Sequence, residues 1–312
     1  MVRLLTGAIL LAVLLPVTGA AKDVAQIVAN AFVFLLFFMN GVRLPRHEVL
    51  AGLTNHRLLW PLVAWCFGAM TLAGWLVWQA GQGWVPPLVG LGFLYLGCLP
   101  STVQSATVYS SLSGGNVASS VVAAALLNLL GIFISAPLFS LLAGGESGGL
   151  HADGIIKVVG ILLLPFILGQ LAQGWLGAWA RDHKATVTFM DRMTIAIAVY
   201  VAFSGAVQQR FWERVDPGAW GWLVLGTALM LAVGHYGAWL LGGLVGLDRA
   251  NRISMLYAGA QKSIAMGAPL ATVLFAPAAA GIVLLPALLY HLAQMVIAAP
   301  VSTRLAKGGN VI

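Results

Sequence analysis

The sequence predicts an all-α integral membrane protein whose ten transmembrane helices form two inverted five-helix repeats. Three observations predict it: an extreme apolar composition, an uneven sharing of basic residues between alternate loops, and breaks at matching places in two spans. Of 312 residues, 60% are hydrophobic and only 8% charged, with a mean hydropathy of +0.94. A soluble domain carries about a quarter charged residues. The apolar segments run roughly 17 to 30 residues without two-residue alternation, so they read as helices and not as barrel strands.

Cutting at charged and Gly/Pro-rich breaks places the spans near residues 4–21, 24–42, 58–79, 86–113, 116–143, 154–179, 187–208, 218–246, 250–276 and 278–304. The first, MVRLLTGAILLAVLLPVTGAA, has a basic start, a short apolar stretch and small residues near Ala20, so it also reads as a cleavable signal peptide. The fourth contains CLPSTVQSATVYSS, where Pro100 has no backbone N–H to donate. A GGN turn opens the fifth. The ninth contains YAGAQKSIAMGAP, with Gly259, Gly267 and Pro269, and the tenth carries YHLAQ, which puts His291 and Gln294 on one helical face.

Lys and Arg accumulate in cytoplasmic loops, which tests the span count independently. With the N-terminus inside, eleven basic residues fall on the cytoplasmic side (Arg3, Arg43, Arg46, Arg57, Arg181, Lys184, Arg192, Arg249, Arg252, Arg304, Lys307) and four outside (Lys22, Lys157, Arg210, Arg214). Both termini are therefore expected in the cytoplasm. Five spans per half is an odd number, so residues 144–312 enter the bilayer from the side opposite to residues 1–143. The two interrupted spans are each the fourth of their half, and such a pair points to a secondary transporter's binding site.

The sixteenth basic residue is Lys262, roughly 20 Å from either end of its span at ~1.5 Å per residue. A lysine at that depth costs at least ~2.5 kcal/mol on insertion scales and marks a functional position; the bland alternative is a side chain that snorkels to an interface. Unwound backbone survives in a membrane only where protein or a wet cavity satisfies it, so the two breaks are expected to face each other. Ser101, Thr102, Gln104, Ser105 and Thr107 would then meet Gln261, Lys262 and Ser263, with Asn116, Ser119, Ser120 and Asn128 of the fifth span and His291 and Gln294 of the tenth lining the same cavity. Each of these other side chains also has a plainer reading as interhelical packing glue.

Several function classes are excluded. All nine acidic residues fall in loops or at span ends, leaving nothing for an intramembrane aspartyl protease, an acidic channel ring or a carboxylate proton relay. Gly-x-Ser-x-Gly and Walker patterns are missing, so no enzyme is expected. Cys66 and Cys98 lie inside spans with no metal-type spacing, and the scattered basic residues behind the charge of +7 give no nucleic-acid patch.

At CLPSTVQSATVYSSLSGGNVASS, GAQKSIAMGAPL and LLYHLAQ, with FFMNGVRL at the end of the second span, the chain resembles the bile acid:sodium symporter family, nearest the branch of its vertebrate seventh member and bacterial relatives. The resemblance implies a panel domain (spans 1, 2, 6 and 7), a core domain (spans 3–5 and 8–10), broken fourth and ninth helices crossing near the midplane, and alternating access. It also implies an organic anion or amphipathic acid as substrate and, with the bacterial relatives, an inner-membrane setting.

Sodium-dependent members bind the ion with a Ser-Asn pair on the fourth helix, hydroxyls on the fifth, a glutamate on the ninth, and glutamines on the third and ninth. Matching on the GGNV turn puts the Ser-Asn pair at Ala106 and Thr107 and the glutamate at Tyr257, and between His56 and Gln79 there is no glutamine. Gln261 and Ser120 match; Lys262 stands where asparagine is usual. The sodium ligands are thus degraded, and Lys262 has three readings: a stand-in for the sodium ion, a group that couples transport to a proton, or the counter-charge of an anionic substrate. No other cofactor is expected. The alternatives are a sodium-coupled bile acid-type symporter and a non-transporting membrane sensor or regulator.

Overall fold

The computed structural model describes residues 2–19, 21–43, 56–144, 159–208, 210 and 217–308. The loop positions Arg46, Glu48, Glu146, Asp153, Lys157, Glu213, Arg214 and Asp216 used in the topology count lie outside them, as does Leu44 of FFMNGVRL. Among the described residues the chain is helical, with no strand: α1 (Val2–Leu14), α2 (Ala21–Arg43), α3 (His56–Gly81), α4 (Pro87–Cys98), α5 (Val103–Leu112), α6 (Val117–Ala143), α7 (Gly160–Asp182), α8 (Lys184–Gln208), α9 (Pro217–Leu244), α10 (Arg249–Ala260), α11 (Ile264–Leu274) and α12 (Pro277–Ala306).

Seven of these helices are long and apolar enough to cross a membrane, and eight spans result if the bent pair α4 and α5 is one. The thirteen residues of α1 fall short, because about twenty are needed for the hydrocarbon core. Sequence signals account for several ends. Pro87 starts α4 at a position where its missing N–H costs nothing. The Asp248 side chain accepts from Asn251 N–H at 3.1 Å and caps α10. Asn116 does the same for α6, accepting from Ser119 N–H at 3.1 Å, after a turn whose Gly114 has φ +76°. Two helices widen internally into π turns, Ala64–Ala69 in α3 and Val233–Gly237 in α9.

The chain divides into two compact units. The first comprises Met1–Arg46, Ala143–Asp216 and Ala265–Leu284. Within it, α2 and α7 approach backbone to backbone at Gly41 and Gly169, where a Cβ on Gly169 would meet the carbonyl of Phe38, the close contact that small residues permit between membrane helices. Gln170 Nε2 donates to Gly41 O at 2.6 Å, and Arg43 pairs with Asp191 at 2.7 Å.

The second unit comprises His47–Leu142, Pro217–Ile264 and Leu285–Ile312. Its core gathers Leu62, Cys66 and Phe67 of α3 with Leu127 of α6 and Met255 and Ala258 of α10. A further cluster joins Ala106, Trp239, Leu256 and Tyr257 to Ala298 of α12. Here α3 and α4 meet through Gly74 and Gly97: a Cβ on Gly97 would lie 2.7 Å from Met70 O. This unit holds the candidate site.

Candidate functional site at two interrupted helices

Pro100 stops α4, because proline lacks an N–H and pushes the residue before it out of the helical region. Leu99 accordingly is extended, at φ −71° and ψ 145°, and α5 leaves at 62° to α4. In α10 the helix stops at Ala260, Gln261 is extended at φ −80° and ψ 129°, and α11 starts at Ile264. Helix ends leave carbonyls and N–H groups without intrahelical partners, and here the two breaks satisfy one another. Ser263 N–H donates to Pro100 O at 2.9 Å, Thr102 Oγ1 donates to Lys262 O at 2.7 Å, and Ser105 Oγ donates to Gln261 Oε1 at 2.9 Å.

Lys262 is 2% exposed, so it does not reach the surface as a snorkelling side chain would. Its Nζ donates to three main-chain carbonyls: Leu99 at 2.7 Å, Gly97 at 2.9 Å and Cys66 at 3.1 Å. An ammonium has three donors, and each has an acceptor. Two of these oxygens belong to the C-terminal end of α4, where the helix dipole is negative. The third lies in the π turn of α3, where Met70 N–H donates to Trp65 O and the ladder register is shifted. The thiol of Cys66 sits 3.7 Å from Nζ. Each carbonyl thus lies at an irregularity of its helix, and the charge is held by oriented backbone dipoles, with no acidic partner among the described residues.

Residues of α12 hold the Lys262 backbone. Gln294 Oε1 accepts from Lys262 N–H at 2.8 Å, and Gln294 Nε2 donates to Lys262 O at 3.2 Å and to His291 Nδ1 at 2.9 Å. An amide nitrogen only donates, so His291 Nδ1 accepts, and the proton of the neutral ring resides on Nε2. Tyr290 OH donates to Ala260 O at 2.6 Å. On the α4–α5 side, Asn128 Nδ2 donates to Ser101 O at 2.5 Å and to Ala124 O at 3.0 Å.

The other sequence-selected residues sit differently. Gln104 is exposed and lies outside this cluster. Asn116 is taken up by capping and by Asn251, to whose Oδ1 its Nδ2 donates at 3.1 Å; Ser119 contributes its N–H to the same cap. Tyr257 is fully buried, 2.9 Å from Ser113 Oγ through its hydroxyl, with its ring stacked on Tyr109 at 5.8 Å. The buried Oγ of Ser101 and Ser120, Oγ1 of Thr107, Nε2 of Gln261 and Nε2 of His291 have no partner among the described residues. The site components not singled out from sequence are the carbonyls of Cys66, Gly97 and Leu99 and the Tyr290 hydroxyl. Only Pro100, which opens the α4 terminus, signals any of them. Among the described residues no three His, Cys, Asp or Glu side chains come together to hold a metal.

Comparison with known proteins places this chain in a family. The chain matches the SBF-like CPA transporter family over residues 1–307. It is 37% identical over 305 residues to an uncharacterized protein of Pseudomonas aeruginosa, covering 97% of this chain and 91% of that one. It is 34% identical over 299 residues to YfeH of Escherichia coli K12, which carries the provisional name of a symporter, covering 95% and 89% respectively. It is 21% identical over 271 residues to mouse sodium/bile acid cotransporter 7, covering 84% and 78%. The family is one of transporters and not of enzymes, which implies a small-molecule substrate and a membrane setting. The chain is a multi-pass membrane protein that belongs to the SBF-like CPA transporter family, relatives of the bile acid:sodium symporters.

Proposed function

We propose that this protein is a secondary active transporter that moves an organic anion or amphipathic acid by alternating access, with Lys262 standing where sodium-dependent relatives hold an ion. The observation that carries this reading is the ammonium of Lys262 inside a ring of three backbone carbonyls, at 2.7, 2.9 and 3.1 Å. Unwound carbonyls and half-helix C-termini are what coordinate sodium in transporters of inverted-repeat design. Here a tethered cation uses them. A sodium ion about 4 Å from that ammonium would be repelled by roughly 4 kcal/mol at an effective dielectric of 20. The residue matched to the family's shared glutamate is Tyr257, whose hydroxyl is engaged with Ser113, so no carboxylate offsets that repulsion. Transport is accordingly sodium-independent, and coupling to a proton is one route to concentrative uptake.

Two further features support an anionic substrate. Among the described residues, Gln261 Nε2 and His291 Nε2 are buried donors without protein acceptors, and the Lys262 charge has no acidic partner. The reading includes ten spans in two inverted five-helix repeats, a panel domain of spans 1, 2, 6 and 7 and a core domain of spans 3–5 and 8–10. It also includes a crossing of the two breaks near the midplane, cytoplasmic termini and a bacterial inner membrane. Uptake into proteoliposomes of a labelled bile acid and a set of smaller organic carboxylates, with sodium exchanged for choline, tests it. Directional uptake that ignores the exchange supports the carrier. A steep sodium requirement contradicts the role of Lys262, and binding without flux contradicts transport.

A further inference from the structure

We infer that Gln294 is the positioning residue that aims Lys262 into its carbonyl ring; this rests on the reading of Lys262 just given. The amide is fully committed. Its oxygen accepts from the Lys262 N–H at 2.8 Å, one N–H points to the Lys262 carbonyl at 3.2 Å, and the other to His291 Nδ1 at 2.9 Å. One side chain therefore grips both polar groups of a single residue, 32 positions away in sequence.

That grip matters because of where Lys262 sits. Inside a helix, the i→i−4 ladder fixes each peptide plane and so the direction of each Cα–Cβ bond. Between Ala260 and Ile264 there is no helix, and Gln261 has already turned to ψ 129°. The Lys262 peptide planes would rotate unless held from outside. Gln294 holds both ends of the residue, Thr102 Oγ1 adds a second donor to the same carbonyl, and Tyr290 OH fixes the carbonyl of Ala260 two residues earlier. With the backbone pinned, the side chain extends to carbonyls contributed by α3 and α4.

The Lys262 peptide groups decide which way round the amide sits. A flipped Gln294 would set its oxygen against the Lys262 carbonyl and its NH₂ against the Lys262 N–H, losing both contacts. In the orientation that keeps them, Gln294 Nε2 also meets His291 Nδ1 at 2.9 Å. The two residues read from sequence as cavity-lining thus act on Lys262 through its main chain. Gln294 touches no side-chain atom of Lys262 in the bonds that define it, which makes it a positioning residue.

The test is the ¹⁵Nζ spectrum of the purified full chain labelled at its lysines. There are only five (Lys22, Lys157, Lys184, Lys262 and Lys307), and Lys262→Arg assigns the signal of interest. A slowly exchanging Lys262 ammonium resonance is expected in the unsubstituted protein. It should be lost or broadened in Gln294→Met, which keeps the volume without polar groups, and in Gln294→Glu, whose carboxylate accepts from the N–H but cannot donate to the carbonyl. Thr227→Val, which removes a buried hydrogen bond to Leu223 O within α9 and touches neither break, should leave it in place and so separates aiming from general loosening. An unchanged resonance in both folded Gln294 variants overturns this proposal alone. Loss in Thr227→Val to the same degree overturns it as well. Absence from the unsubstituted protein overturns the carbonyl ring and this proposal with it.

Discussion

The Nζ of Lys262 lies 2.7 Å from the carbonyl oxygen of Leu99, the residue immediately before the proline that ends α4. The break leaves the Gly97 and Leu99 carbonyls without intrahelical donors, and a lysine 163 positions beyond Leu99 supplies them. The interrupted helix and the buried charge are thus two halves of one arrangement, since each would be costly in a membrane without the other.

Lys262→Met should destabilise the protein. Three carbonyls lose a charge-assisted donor, at about 1–3 kcal/mol for each buried group left unsatisfied. Removing a desolvated ammonium returns part of that. A net loss of roughly 2–4 kcal/mol is expected from these opposing terms, read as a lowered unfolding temperature in detergent, with uptake falling about tenfold or more. Lys262→Arg should not rescue it, because a planar guanidinium cannot point three donors at convergent acceptors. Wild-type stability in either variant would remove the ring from the mechanism.

Gly97→Ala should impair both folding and transport. The new Cβ would lie 2.7 Å from Met70 O and 3.0 Å from Thr71 Cα. Both are backbone atoms, so α3 and α4 have to separate. Overpacking of this kind costs about 1–3 kcal/mol, and it displaces the Gly97 carbonyl on which Lys262 depends. Gly68→Ala, in the same region of α3 but with nothing within 4 Å of its Cβ, should be neutral or slightly stabilising. Equal unfolding temperatures for the two variants would contradict this account.

Tyr257→Phe removes only the hydroxyl that meets Ser113 at 2.9 Å, at a cost of about 0.5–1.5 kcal/mol. Uptake should stay within about twofold of wild type if that hydroxyl serves packing and not ion binding, as expected for a hydrogen bond of ordinary strength. Tyr257→Glu should be far more damaging, because it places a carboxylate in a fully buried position stacked on Tyr109. A loss of transport in Tyr257→Phe without loss of stability would show that the hydroxyl has a direct role.

Much of the site was legible in the sequence because its signals are local. Pro100 has one backbone consequence wherever it stands, and a lysine between Gly259 and Pro269 in an apolar run stands out by charge alone. The pairing of Thr102, Ser105 and Asn128 with the breaks follows from polar groups confined to apolar helices. The acceptors of Lys262 were illegible for a physical reason: they are main-chain carbonyls, and a carbonyl carries no residue identity. The π turn at Ala64–Ala69 reads in sequence as ordinary helix, so the Cys66 oxygen gave no sign. Asn116 shows the converse failure. A capping asparagine and a cavity asparagine look alike until the Ser119 N–H is seen to occupy it. The span count was hardest to read at α1, where thirteen helical residues sit in a longer apolar stretch.

The central claim is that a tethered ammonium does the work of a sodium ion. It is tested most directly by following the unfolding temperature of the purified protein as sodium replaces choline at fixed ionic strength, in the wild type and in Lys262→Asn. The account predicts no response to sodium in the wild type and a lower, still folded baseline in Lys262→Asn. A sodium-dependent rise in the wild type would contradict it.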